Sequence, residues 1–172
     1  MTLSTATPQL GEIRVLRDQG RAIQKVLRIN TEGLTQQDSL AQPAPGGNCL
    51  NWVVGHMLET WDGLLPVVGQ TPVLGRQALE RYKRGSAALR DAADALPIET
   101  LLAAFDEAAN RMDEGLAALT EQKFDAPAPF SPSNNPHETV RSLLTVVMFH
   151  QAYHVGQTGV LRRIAGKEGK IR

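Results

Sequence analysis

The stretch 143–163, LLTVVMFHQAYHVGQTGVLRR, constrains this chain more than any other. Read as a helix, it sets Leu143, Val147, His150, His154, Gln157, Leu161 and Ile164 at alternating steps of four and three, the spacing of one buried stripe. Two imidazoles and an amide thus stand where leucines are expected. Burying such groups is costly unless something satisfies them, so the stripe requires a partner. His150 and His154, at i and i+4, lie one turn apart on one face and can converge on a single ion.

Three more segments carry a helical period. Behind Pro8, Leu10, Ile13, Leu16, Gly20, Ile23, Leu27 and Asn30 predict an amphipathic helix ending near Gly33. Residues 31–47, with Pro43, Pro45, Gly46 and Gly47, read as a loop containing one helical turn at 35–40. Asn48 is the expected N-cap of a second helix, NCLNWVVGHMLETWDGLL, which Pro66 stops. Its stripe runs through Cys49, Val53, His56, Thr60 and Gly63, with Trp52 and Glu59 flanking. Residues 66–97, rich in Pro and Gly, form a long connection with short helices that lets the chain cross over. From Pro97 as first helical residue, a third helix presents Leu101, Phe105, Ala108, Met112, Leu116 and Leu119. A proline-punctuated loop then ends in Asn135-Pro136-His137-Glu138, where Asn135 as cap and Glu138 at the third position make a capping box for the last helix, which runs to about Ala165. Nothing alternates with period two. The expected fold is therefore all-α: one domain over 1–172, a four-helix bundle with a long connection between helices two and three.

Composition narrows the function classes. The 18 basic and 18 acidic residues cancel, which disfavours a nucleic-acid or anionic-membrane surface. The apolar runs fall far short of the roughly 20 residues a bilayer span needs. The N-terminus has no basic start and apolar block of a secretory signal, and the single Cys49 has no partner within the chain, so a reducing cytoplasm is expected. The basic tail, Arg162, Arg163, Lys167, Lys170 and Arg172, is read as complementing a helix C-terminus.

Three of the four histidines fall on stripes of two helices. If those helices are neighbours, His56, His150 and His154 offer three neutral nitrogens and leave a fourth position open, as catalytic metal sites do. His137, 13 residues before His150, is about 20 Å away along a helix at roughly 1.5 Å per residue and is excluded. HQAYH is not the zinc-protease pattern, because Gln151 replaces the glutamate base. A di-iron carboxylate site would need inward glutamates that the first and third stripes lack. Three imidazoles suit one divalent ion, zinc, nickel, copper or ferrous iron, and the ligand set does not choose among them; zinc or nickel is the expected ion. Glu59, one turn beyond His56, is the candidate to accept a ring N–H or hold a water; Gln157 is expected to bond something buried, and Tyr153 to sit at the pocket margin. Cys49 is read as a small buried filler.

At HQAYHVGQTGVLRR and PGGNCLNWVVGHMLETWDGLL the sequence resembles the DinB-like family of small metal-binding four-helix proteins, over nearly the whole chain. The resemblance implies that His56, His150 and His154 are a divalent-metal triad, and that a homodimer is a frequent state. Where many members carry an acidic residue, this chain has Gln151, at a position expected to point off the stripe. Relatives include thiol-dependent transferases and a mycothiol-dependent maleylpyruvate isomerase, so the resemblance implies a low-molecular-weight thiol and a small electrophile as reactants. The leading expectation is metal-assisted thiol transfer. A metal-dependent hydrolase and a non-catalytic metal- or small-molecule-binding module are the alternatives.

Overall fold

A computed structural model describes residues 11–171; the expected helix positions Pro8 and Leu10, and Arg172 of the tail, lie outside them. The described residues are helical without a β-strand, and one isolated bridge pairs Pro127 with Thr139. Four long helices carry the core: α1 (Gly11–Thr31), α3 (Leu50–Leu64), α4 (Ile98–Ala118) and α6 (Val140–Ile164). Two single turns, α2 (Gln36–Ser39) and α5 (Glu121–Phe124), sit in the loops. The turn expected at 35–40 is α2, closed by a capping box between Thr35 and Asp38. α1 packs on α4 and α6, and α3 packs on the same two, so α4 and α6 each bridge the other pair. No helix among the described residues is long and apolar enough to cross a membrane.

The stripes of α1 and α4 are buried as spaced: Ile13, Leu16, Ile23 and Leu27 on one, Leu101, Phe105, Ala108, Met112 and Leu116 on the other. Phe105 stacks on Trp61 of α3 with ring centroids 4.6 Å apart. Arg17 of α1 clamps Asp113 of α4 through two bonds of 2.8 and 2.9 Å, which hold the Asp113 carboxyl below its usual range. α3 differs from expectation. It is buried on nearly every side, because the connection after it folds back: Leu65–Val68, Glu80–Tyr82 and Ala92–Asp94 are 3-10 turns, and Leu79, Tyr82 and Leu89 join the core. Gly115 of α4 permits part of that return, since a Cβ there would lie 2.6 Å from Val68 Cγ2 and 2.8 Å from Val68 O.

Two helix starts differ by one residue. Cys49, without a side-chain capping bond, caps α3 in place of Asn48, and Pro97 is the cap of α4 instead of its first residue. The start of α6 differs by more. Its cap is Thr139, in a capping box with Ser142, not Asn135 with Glu138. Asn135 Oδ1 accepts the His137 N–H in a local turn, and the chain at 138–140 pairs with 126–128 through Ala128 N–H to Glu138 O and Val140 N–H to Ala126 O. Extended pairing thus takes residues that the Asn-Pro signal assigned to helix. The Glu138 carboxylate accepts from Ser131, Ser133 and Ser142 instead of capping, and those bonds lower its pKa.

On α6 the expected Leu143, Val147 and Leu161 are buried and Ile164 is 41% exposed, but the buried seam extends to a neighbouring row of Leu144, Met148, Gln151, Val155, Thr158 and Arg162. Gln151, expected off the stripe, is fully buried and its Nε2 donates to Met57 O at 2.8 Å, tying α6 to α3. Arg162 does complement a helix C-terminus, but that of α1: its Nη1 donates to Asn30 O at 3.1 Å and Glu32 O at 2.7 Å. Lys167 and Lys170 pair with Asp38 and Glu32.

Candidate metal site and cleft

His56 of α3 and His150 and His154 of α6 come together on the flank of the seam, facing a cleft of 640 Å³. His150 Nε2 lies 3.2 Å from His56 Nε2 and 3.1 Å from His154 Nε2, and one ligand atom from each of the three fits within 4.8 Å. Four-coordinate zinc, at about 2.0–2.1 Å from each imidazole nitrogen, requires ligand atoms about 3.3–3.4 Å apart. The two spacings to His150 Nε2 are close to that requirement.

The outer nitrogens settle which atoms face inward. His56 Nδ1–H donates to Tyr82 O at 2.8 Å, and His154 Nδ1–H donates to Gln157 Oε1 at 2.8 Å. Both Nε2 atoms therefore present lone pairs to the centre. His150 Nε2 carries one proton at most, so at least one of these contacts sets lone pair against lone pair in the metal-free cluster. His150 Nδ1 is buried without a partner among the described residues, whichever nitrogen bears the proton. A cation between the rings removes the lone-pair conflict, and the donor set of neutral imidazoles fits a divalent first-row ion. All three rings are held neutral. Burial lowers each pKa, and for His150 burial, with His154, His56 and Arg84 alongside, takes it to about 4.

Local sequence explains the placement of His56. Its predecessor Gly55 faces the ring of Tyr82, where a Cβ would lie 2.5 Å from Cγ and closer still to Cδ1 and Cε1. With no side chain at 55, the Tyr82 ring lies flat on α3, its hydroxyl donating to Asn51 Oδ1 at 3.0 Å and accepting from Leu96 N–H at 2.8 Å. That contact brings Tyr82 O to His56. Trp52, one turn earlier, stacks on the His56 ring at 4.8 Å and 21° and fixes its plane.

The expected auxiliary residues fall into different roles. Gln157 bonds His154, as described. Tyr153 is 59% exposed at the cleft margin, its ring edge-on to His154 at 5.2 Å. Glu59 lines the cleft, but its Oε2 is 3.9 Å from His56 Nδ1, whose proton goes to Tyr82 O; burial raises the Glu59 pKa. His137 is in an exposed turn before α6, not on the helix, and remains apart from the cluster. Cys49 is fully buried, as a filler would be. Sequence reasoning missed Tyr82, whose contribution is a backbone carbonyl, and Arg76 and Arg84, which line the cleft from the aperiodic connection. A glycine beside a histidine in a helix of large residues was the available signal for a close approach at Tyr82.

Comparison with known proteins gives one family. The sequence model of the DinB superfamily matches residues 19–158. Among curated proteins none matches significantly. A solved structure, the crystal structure of the conserved protein of locus from Enterococcus faecalis, superposes with a TM-score of 0.69 at 15% identity, covering 90% of this chain and 97% of that one. At that identity the likeness shows a shared fold.

Proposed function

The chain belongs to the DinB superfamily, and on that premise we propose that it is a four-helix bundle that holds one divalent ion, zinc or nickel first, on His56, His150 and His154 and activates a low-molecular-weight thiol for transfer to a small electrophile. The observation that carries this reading is the convergence of three neutral imidazoles, with His150 Nε2 3.1–3.2 Å from the other two and all three ligand atoms within 4.8 Å, two rings with their outer N–H groups already bonded and the third with a buried Nδ1 that has no partner among the described residues. When bound, such an ion supplies Lewis acidity that lowers the pKa of a thiol or water.

The chain's own residues do the rest. Tyr82 O and Gln157 hold the rings in the ligating tautomer, and Trp52 shields His56 from solvent. Glu59 is the one carboxylate among the described residues that line the cleft, with a pKa raised by burial, and is the group placed to take up a proton released there. That same carboxylate favours a second reading, hydrolysis, in which it serves as base toward water. Purified protein with its ion, tested with bacillithiol, mycothiol, glutathione or water against a panel of electrophiles, is expected to show a metal-dependent rate with one thiol. A rate with water alone selects hydrolysis, and none in any pairing leaves a binding module.

The reading includes a homodimer in a reducing cytoplasm. Phe149 and Val160 on the outer face of α6 and Val15 on α1 are exposed, and an apolar groove of 430 Å³ between the two helices includes Ile23, Val26, Met148 and Phe149. Sedimentation is expected to give twice the chain mass for the wild type and the chain mass for Phe149→Glu.

A further inference from the structure

The cleft beside the triad is mostly apolar, yet two guanidiniums enter it. Arg76 and Arg84 both line it, and neither makes a hydrogen bond or ion pair with another described residue. Each sits on backbone pinned to α3. The Asp62 carboxylate, buried to 2% exposure, accepts the N–H groups of Val73 and Gly75, and Arg76 follows directly. Tyr82 is fixed by Gly55, Asn51 and His56, and Arg84 follows two residues later. Arg84 also borders a shallower apolar groove of 260 Å³ with His150 and Tyr153, so it stands where the two spaces meet at the triad. Against these two cations the cleft lining has, among the described residues, one carboxylate, Glu59. A bound divalent ion adds further positive charge, because the three imidazoles are neutral. Unpaired guanidiniums on a fixed backbone beside an apolar wall recognise a carboxylate attached to an apolar body, the arginine forking onto the oxygens.

We infer that the cleft selects a small organic acid, its carboxylate held by Arg76 and Arg84 and its apolar part lying against Trp52, Phe130 and Val146. The inference rests on the metal-site reading for the place of reaction, though not for binding of the acid itself. The acid belongs to the thiol or to its acceptor, and the test distinguishes the two.

Full-length protein, as purified and after dialysis against chelator, is titrated with 3-phenylpropionate and with its neutral amide, following the intrinsic fluorescence of its two tryptophans, of which Trp52 lines the cleft. The metal-loaded protein is titrated with 3-mercaptopropionate and with neutral 2-mercaptoethanol. In at least one pair the acid is expected to bind about tenfold or more tightly than its neutral partner, a preference that 0.5 M salt weakens and that Arg76→Gln/Arg84→Gln abolishes while leaving the neutral partner's affinity unchanged. The pair that shows the preference identifies which reactant carries the acid. Ratios near one in both pairs, or a preference that survives the double substitution, overturn the inference. Both substituted side chains are exposed, so folding is not at stake. Failure of the metal reading shows separately, as protein that retains no divalent ion, and the chelated arm still tests the arginines.

Discussion

Gly55→Ala separates two effects of opposite sign. In the interior of an exposed helix, replacing glycine by alanine stabilises by about 1 kcal/mol through backbone entropy. Here the new Cβ would fall 2.5 Å from Tyr82 Cγ, so the ring must retreat by at least about 1 Å to reach a carbon–carbon contact of about 3.5–4.0 Å. The ring is anchored by its hydroxyl to Asn51 and to Leu96 N–H, and the same residue's carbonyl holds His56. Overpacking of this kind costs about 1–3 kcal/mol, and each displaced hydrogen bond about 1 kcal/mol more. With one hydrogen bond displaced, subtracting the entropic gain leaves a net loss of about 1–3 kcal/mol, a fall in Tm of about 2–12 °C for a chain of this size. His56 would lose the acceptor that fixes its tautomer, and affinity for zinc should drop about 10–100-fold. Thermal denaturation with and without chelator, and zinc titration against a competing chelator, measure both. Tyr82→Phe is the control: it removes the hydroxyl's two bonds, at about 1–3 kcal/mol, but keeps the carbonyl, so zinc affinity should stay within about threefold. A Gly55→Ala protein that melts higher than wild type and binds zinc as tightly would refute the Gly55–Tyr82–His56 linkage.

Two further outcomes follow from the same structure. The metal-free protein should lose stability as pH falls from about 6.5 toward 4, because the unfolded histidines take up protons that the buried ones refuse; His150, at about 4, contributes at most about 3 kcal/mol. Since the folded pKa lies below the unfolded one, this contribution is complete above pH 6.5, and urea denaturation of chelated protein that is flat between pH 7 and pH 4.5 would contradict it. Arg162→Met should remove the donors to Asn30 O, Glu32 O and Glu168 O and cost about 3 kcal/mol in urea denaturation, with metal content unchanged because none of these contacts involves His56, His150 or His154.

Much of this was legible in the chain, for physical reasons that differ by residue. The spacing of Ile13, Leu16, Ile23 and Leu27, and of Leu101 through Leu116, shows directly because each of those helices buries one face. His150 and His154 at i, i+4 are visible for the same reason, although they lie on the flank of the buried seam and not at its centre. α6 buries a broad arc, so the set through Leu143, Val147 and His150 and the neighbouring set through Leu144, Met148 and Gln151 both look like stripes, and periodicity alone could not place Gln151 inside. The start of α6 was misread because Asn-Pro serves equally as a cap or a local turn, and the long-range pairing of 138–140 with 126–128 decided between them. Tyr82 and the two arginines were hidden for a different reason. A carbonyl acceptor has no residue signature, and a segment without period gives no face to which a guanidinium can be assigned.

The central claim, that His56, His150 and His154 form one ion-binding site, is tested most directly by metal content. Wild-type protein equilibrated with zinc and freed of unbound ion should carry close to one ion per chain, and His150→Ala/His154→Ala, with its folding verified by circular dichroism, should carry almost none. A double variant that keeps the full complement of metal would contradict the account.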